Sequence, residues 1–167
     1  MTKLEILTQN LQETDDLARR VANASFPGLV ICLTGNLGAG KTRFSKAFCT
    51  ALGVPEEEVN SPTFVLIQEY LGRWPEKHGG SALTIYHFDT YRLKDLDEFC
   101  ELGAEEMLSG NGICLLEWGE RVAEMLPADT LSITIEATSE TSRRFTFRGD
   151  GEQTSDLIKQ LSIGQQR

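Results

Sequence analysis

Eight consecutive residues, Gly35-Asn36-Leu37-Gly38-Ala39-Gly40-Lys41-Thr42, restrict what this chain can become more than any others in it. They match GxxxxGK[ST], a loop whose glycines let the backbone turn with positive φ and approach phosphate without a Cβ in the way. Successive N–H groups, with the positive end of the following helix, then form an anion cradle. Such a loop needs a strand leading in and a helix leading out. Leu29-Val30-Ile31-Cys32-Leu33 is a continuous apolar run, the pattern of a strand covered on both faces. Phe44, Ala47, Phe48, Ala51 and Leu52 recur on one helical face, which Gly53 and Pro55 end. Lys41 would reach the β and γ phosphates of a nucleoside triphosphate as a point charge. The Thr42 hydroxyl would be a ligand of the Mg²⁺ that bridges those phosphates.

The remaining pattern predicts strands interleaved with helices. Residues 3–9 read as a short edge strand, and Thr14 as the cap of a helix whose apolar face is Leu17, Ala18, Val21 and Ala22. Phe64 to Tyr70 and Leu83 to Phe88 are expected strands, joined by the polar loop 71–81 and spaced to pair antiparallel. One or two short helices are expected over 94–109, punctuated by Gly103. Ile113 to Leu116 is a second fully apolar run. Leu131, Ile133 and Ile135 alternate with polar residues, as do Phe145 and Phe147, which reads as two half-exposed neighbouring strands. A closing helix near 154–163 carries Leu157, Ile158 and Leu161. Together these predict an α/β fold: a three-layer α/β/α phosphate-loop domain with a mixed parallel and antiparallel sheet. The 167 residues suit one domain, 1–167, since domains run to roughly 100–200 residues.

Charge excludes some classes. Sixteen basic against 25 acidic side chains give a net charge of −9, whereas a domain built to grip a phosphate backbone is normally basic. If nucleic acid is involved, another protein is expected to hold it. Four widely spaced cysteines without a CxxC pair, and only two histidines, argue against zinc or a disulfide framework and suit a reduced compartment. The acidic N-terminus MTKLEILTQNLQETDD has no long apolar run, so neither a signal peptide nor a membrane span is expected, and the reading is a cytoplasmic protein.

Hydrolysis would also need a carboxylate for the metal and a group that positions water, usually at the end of a second apolar strand beside the loop. Two candidates compete. Ile113-Cys114-Leu115-Leu116 runs into Glu117, followed by Trp118, and Leu83-Thr84-Ile85-Tyr86-His87-Phe88 runs into Asp89. Asp is the commoner residue in that role, but the cleaner buried run precedes Glu117. Spacing leaves both open.

The loop, then Ser61-Pro62-Thr63-Phe64, then His87-Phe88-Asp89-Thr90-Tyr91-Arg92, then Leu116-Glu117-Trp118, resembles the TsaE (YjeE) family. These are bacterial ATPases required for making threonylcarbamoyladenosine in tRNA. The signatures stand in the family's order over residues 35–118. The resemblance implies ATP and Mg²⁺ as cofactors, with Leu37, Gly38, Ala39, Gly40, Lys41 and Thr42 binding the triphosphate. It implies that Thr42 with Glu117 holds Mg²⁺, which would settle the carboxylate question for Glu117. It further implies that Asp89 is a catalytic or water-orienting acid, that Ser61 and Thr63 sit near the γ-phosphate, and that Trp118 lies close to the nucleotide. The family's loop often reads Gly-Asp-Leu-Gly, and Asn36 here removes a negative charge beside the phosphates. The implied partners are TsaD and TsaB, which modify tRNA directly, so that this chain would meet tRNA only indirectly and with weak, partner-stimulated hydrolysis of its own.

Other residues read more plainly. His87 is expected as an orienting hydrogen-bond partner or packed strand residue rather than a base, and Tyr91 as core or interface. Arg92 could touch phosphate or pair with Asp95 or Glu98, and Arg143 and Arg144 default to a solvated strand edge. The alternative function is a small-molecule kinase, since Gly35, Gly38 and Gly40 also fit its GxxGxGK[ST] spacing, although the lid-like segment 71–81 holds only Arg73. A GTPase switch would need an [NT]KxD element, which is lacking. An adaptor with a dead loop is disfavoured by intact Lys41, Thr42, Asp89 and Glu117.

Overall fold

The computed structural model describes residues 1–60 and 66–166. Their elements are β1 (Thr2–Thr8), α1 (Leu11–Asn23), β2 (Val30–Thr34), α2 (Lys41–Ala51), β3 (Ile67–Arg73) and β4 (Ala82–Asp89). There follow α3 (Leu96–Glu101), α4 (Ala104–Ser109), β5 (Ile113–Glu117), β6 (Thr130–Ala137), β7 (Arg143–Gly149) and α5 (Glu152–Ile163). The strands form one sheet in the order β1-β7-β6-β2-β5-β4-β3. Its middle is parallel, β2 lying between β5 and β6 with β4 beyond β5. Antiparallel pairs close it on both sides, β6–β7–β1 on one and β4–β3 on the other.

Composition explains the order. The two uninterrupted apolar runs become β2 and β5, which pair side by side at the centre, where both faces are covered. The alternating segments become β6 and β7, and β6 buries Leu131, Ile133 and Ile135 while Ser132 and Thr134 stay half-exposed. Successive residues along a strand point to opposite faces, and β5 uses this directly. Ile113 and Leu115 join a core with Phe44 and Phe48 of α2, Leu17 and Val21 of α1 and Leu157 of α5. Cys114 and Leu116 join a second core with Phe99 of α3, Leu108 of α4 and Val122. Two helical layers thus sandwich the sheet, as the sequence predicts.

Two boundaries differ from expectation. Helix α1 starts three residues before Thr14. Asn10 is its cap, its Oδ1 accepting the Glu13 N–H at 2.9 Å, while Glu13 Oε2 accepts the Gln9 N–H at 2.7 Å. This side-chain pairing across the first turn makes Asn10-x-x-Glu13 a start signal resembling a capping box. Thr14 is instead buried, its hydroxyl paired with that of Thr8 at 2.9 Å. Strand β3 runs further than expected, to Arg73, and the expected start at Phe64 lies outside the described residues.

Helix α5 lacks a capping side chain of its own, since its cap position is Gly151. Asp129, just before β6, supplies the cap from a distance. Its carboxylate accepts the N–H groups of Gln153 and Thr154 at 3.3 and 3.2 Å and the Thr154 hydroxyl at 2.5 Å. A Cβ at Gly151 would sit 2.0 Å from that carboxylate, so only glycine admits the approach. Loss of a cap costs about 1 kcal/mol. Asp129→Ala is therefore expected to lower the melting temperature by about 2–4 °C, read by circular dichroism, and an unchanged midpoint would refute the capping role.

Candidate functional site

The turn after β2 carries the glycine loop, and its backbone angles explain its composition. Gly38 and Gly40 have φ of 80° and 115°, a region that side chains with a Cβ rarely occupy. Gly35 has φ of 150°, and a Cβ there would fall 2.5 Å from the Ile135 carbonyl. Arg143, at the start of β7, braces the loop from the side. Its Nε donates to the Ala39 carbonyl at 2.8 Å, and its Nη1 donates to the carbonyls of Ser139, Glu140 and Ser142. The expectation of a solvated strand edge does not hold for Arg143. Its place in a basic pair at a strand end made it look solvated, and only the β6–β7 turn folding back beside the loop gives it a bracing role. Arg144 does behave as an edge residue, pairing with Glu136 at 3.7 Å.

Parallel pairing then places the acids. Asp89 and Glu117 are register partners at the C-terminal ends of β4 and β5, the side on which ligands bind in open α/β sheets. Both sequence candidates thus stand beside the loop, with different partners. Thr42 Oγ1 donates to Glu117 Oε1 at 2.8 Å. Asp89 accepts the Tyr91 N–H on Oδ1 at 3.0 Å. Glu117 is 2% exposed and Asp89 is 9% exposed, so both are poised at the floor of a site rather than solvated. Behind Glu117 lies His87, fully buried, with Nε2 2.6 Å from Oε2 and Nδ1 3.0 Å from the Tyr70 hydroxyl. His87 accordingly serves as the orienting partner expected of it. Tyr70 had no signal beyond its place in a strand.

Lys41 is folded onto its own loop. Nζ donates to the carbonyls of Gly35 and Asn36 at 2.6 and 3.0 Å and lies 3.9 Å above the centre of the Trp118 ring. Burial pulls its pKa below the ordinary lysine value, while the charges of Glu117, Glu120 and Asp89 pull the other way. Its hydrogen bonds go to carbonyls, so among the described residues no ion pair quenches its charge. A cation over an indole face contributes about 0.5–2 kcal/mol. Trp118 holds this pose in a costly backbone conformation. It is the one non-glycine residue with positive φ, 61°, among the described residues. Its N–H donates to the Leu33 carbonyl at 3.0 Å, its carbonyl accepts the Thr90 hydroxyl, and Tyr91 packs on its ring at 4.8 Å. Tyr91 is half-exposed and so belongs to this surface rather than to the core.

A cleft of about 420 Å³ opens over these groups, lined by Leu37, Gly38, Gly40, Lys41, Thr42, Asp89, Glu117 and Trp118, together with Arg43, Tyr91 and Arg92. Ala39 is buried under the loop. Ser61 and Thr63 lie outside the described residues. The lining fits a metal–triphosphate: an ammonium with no ion-pair partner among the described residues, glycines without a Cβ over the loop backbone, and hydroxyl and carboxylate oxygens suited to a hard divalent cation. The nitrogen and sulfur ligands that zinc favours do not line it.

The family model described as "Threonylcarbamoyl adenosine biosynthesis protein TsaE" matches residues 8–145. A Bacillus subtilis protein named tRNA threonylcarbamoyladenosine biosynthesis protein TsaE is 39% identical over 162 residues, covering 97% of this chain and 96% of its own. A protein of the same name from Treponema pallidum is 38% identical over 143 residues, covering 86% of this chain and 98% of its own. A crystal structure of Bacillus subtilis YdiB superposes with a TM-score of 0.73 at 34% identity, covering 98% of this chain and 97% of that one. No helix among the described residues is long and apolar enough to cross a membrane. With its glycine loop, its paired strand-end acids and relatives that match it almost end to end, the chain belongs to the TsaE family.

Proposed function

We propose that this chain is a phosphate-loop ATPase, acting as one domain in the cytoplasm, that supports the synthesis of threonylcarbamoyladenosine in tRNA. The observation that carries the reading is the 2.8 Å contact between Thr42 Oγ1 and Glu117 Oε1 beside the Lys41 ammonium. It unites a metal-ligating hydroxyl, a metal-ligating carboxylate and a phosphate-seeking cation in one cleft. The backbone N–H groups of residues 37–42 would cradle the triphosphate, with Ser61, Thr63 and Trp118 completing the nucleotide site. Bound Mg²⁺, held by Thr42 and Glu117, would neutralise charge developing between the β and γ phosphates. Lys41 would leave its loop carbonyls and the Trp118 face to reach the same oxygens. Asp89, buried one strand away from Glu117 and outside the Thr42 contact, would orient the attacking water.

The partner reading is TsaD with TsaB, which would carry the tRNA chemistry while this chain hydrolyses ATP to sustain repeated turnover. A net charge of −9 favours contact with protein over direct contact with RNA. Arg143 contacts the loop, but it is committed to backbone carbonyls and does not line the cleft. That argues against Arg143 as an arginine finger, and Arg43, which does line the cleft, is engaged by Asp15; slow hydrolysis alone with acceleration by the partners is the family expectation. An added finger is typically worth ~10³–10⁵ in rate.

Calorimetry with ATP should register saturable, Mg²⁺-dependent binding, weakened at least about tenfold in Lys41→Ala, given the strength of a hydrogen bond to a charged group. Absence of Mg²⁺-dependent uptake by the unaltered chain would overturn the reading. Phosphate release without any acceptor should be measurable and should rise when TsaD and TsaB are added, which separates an ATPase from a small-molecule kinase. Asp89→Asn should lower that rate about 10²–10⁴-fold, as expected for lost proton-transfer or water-orienting assistance, while leaving the affinity for ATP within a fewfold. A rate unaffected by the substitution would remove Asp89 from the mechanism.

A further inference from the structure

The strongest unexplained feature is the pair of buried polar side chains behind Glu117. We propose that His87, held by Tyr70, is a positioning residue that keeps one oxygen of Glu117 turned away from the cleft and thereby sets which divalent cation the site accepts. The proposal rests on the reading of Thr42 and Glu117 as metal ligands.

The hydrogen-bond arithmetic is restrictive. An ionised carboxylate only accepts hydrogen bonds, so Nε2 of His87 must carry a proton toward Oε2 across their 2.6 Å contact. Oε1 faces Thr42 at 2.8 Å and the cleft. The ring cannot swing aside, because Nδ1 is held 3.0 Å from the Tyr70 hydroxyl, and that hydroxyl lies 2.6 Å from Gln68 Oε1 and 3.3 Å from the Asn60 carbonyl. The imidazole is fully buried and the phenol is 4% exposed, so water cannot replace either contact.

A carboxylate whose Oε2 is turned to a buried ring in this way presents Oε1, the oxygen on the Thr42 side, to a metal in the cleft. Mg²⁺ suits such a ligand, since it keeps octahedral geometry and takes few carboxylate oxygens. Ca²⁺ accepts 6–8 oxygens and readily takes a carboxylate through both. Taking both here would break a buried, charge-assisted hydrogen bond. His87 and Tyr70 thus disfavour the larger ion, in addition to fixing the carboxylate's direction.

The test measures ADP binding to the full chain by calorimetry, with Mg²⁺ or Ca²⁺ as the only divalent cation, for the unaltered chain and for His87→Leu, His87→Gln and Tyr70→Phe. His87→Leu should weaken Mg²⁺-dependent binding on the order of 10–100-fold, the usual effect of losing a partner behind a metal ligand. Ca²⁺-dependent binding should fall less or rise, so that the ratio between the ions collapses. His87→Gln, which keeps an N–H donor, should restore much of that ratio, and Tyr70→Phe should shift it in the same direction as His87→Leu. Should His87→Leu fail to fold, Tyr70→Phe decides the question, since it removes a single hydroxyl. Folded variants with an unchanged Mg²⁺ to Ca²⁺ ratio, or a Gln variant no better than the Leu variant, would overturn the proposal. An unaltered chain that binds ADP with neither ion would instead overturn the nucleotide reading on which it stands.

Discussion

The parallel pairing of β2 with β5 is the constraint on which the rest of this molecule depends. Val30 pairs with Cys114 and Leu33 with Glu117, so the exit of one strand into the glycine loop and the exit of the other into Glu117 and Trp118 are held side by side. Both strands are apolar because helices cover both faces of the sheet, and each such side chain contributes about 1.5–3 kcal/mol when fully buried. A slip of one residue would exchange the two cores and point Glu117 into the wrong layer. The same pattern that stabilises the fold therefore sets the position of the polar groups at its edge.

Everything polar at the site is then held by short-range contacts across strand ends. The Thr90 hydroxyl donates to the carbonyls of both Glu117 and Trp118, tying β4 to the turn after β5. Gly119 passes so close to Cys32 that a Cβ would lie 2.5 Å from its sulfur, and this close approach lets the chain turn at Trp118. The outcome is a lysine resting on an indole, a threonine on a glutamate and a histidine behind that glutamate. Each group is held, and the lysine, threonine and glutamate also line the cleft.

Much of this was legible in the chain. The loop, its strand and its helix follow from Leu29 to Leu52, because glycine spacing and apolar periodicity are local properties. The layered fold follows from the contrast between uninterrupted and alternating runs. Helix starts were less legible: Thr14 was expected as the cap where Asn10 serves, and side-chain hydrogen bonds across a first turn decide such cases. The burden carried by Arg143, Tyr70 and Asp129 had no local signal, since each acts on an element distant in sequence.

Residue order alone determined the class of fold, the glycine loop and the short list of acids, since apolar periodicity and glycine spacing are local properties of the chain. Which acid meets Thr42 was decided only in three dimensions. Asp89 and Glu117 both end strands beside the loop, and although the cleaner apolar run precedes Glu117, spacing alone left both open. The sheet puts β5 directly beside β2 and β4 one strand further out, and a side-chain hydroxyl reaches only about 3 Å to its hydrogen-bond acceptor.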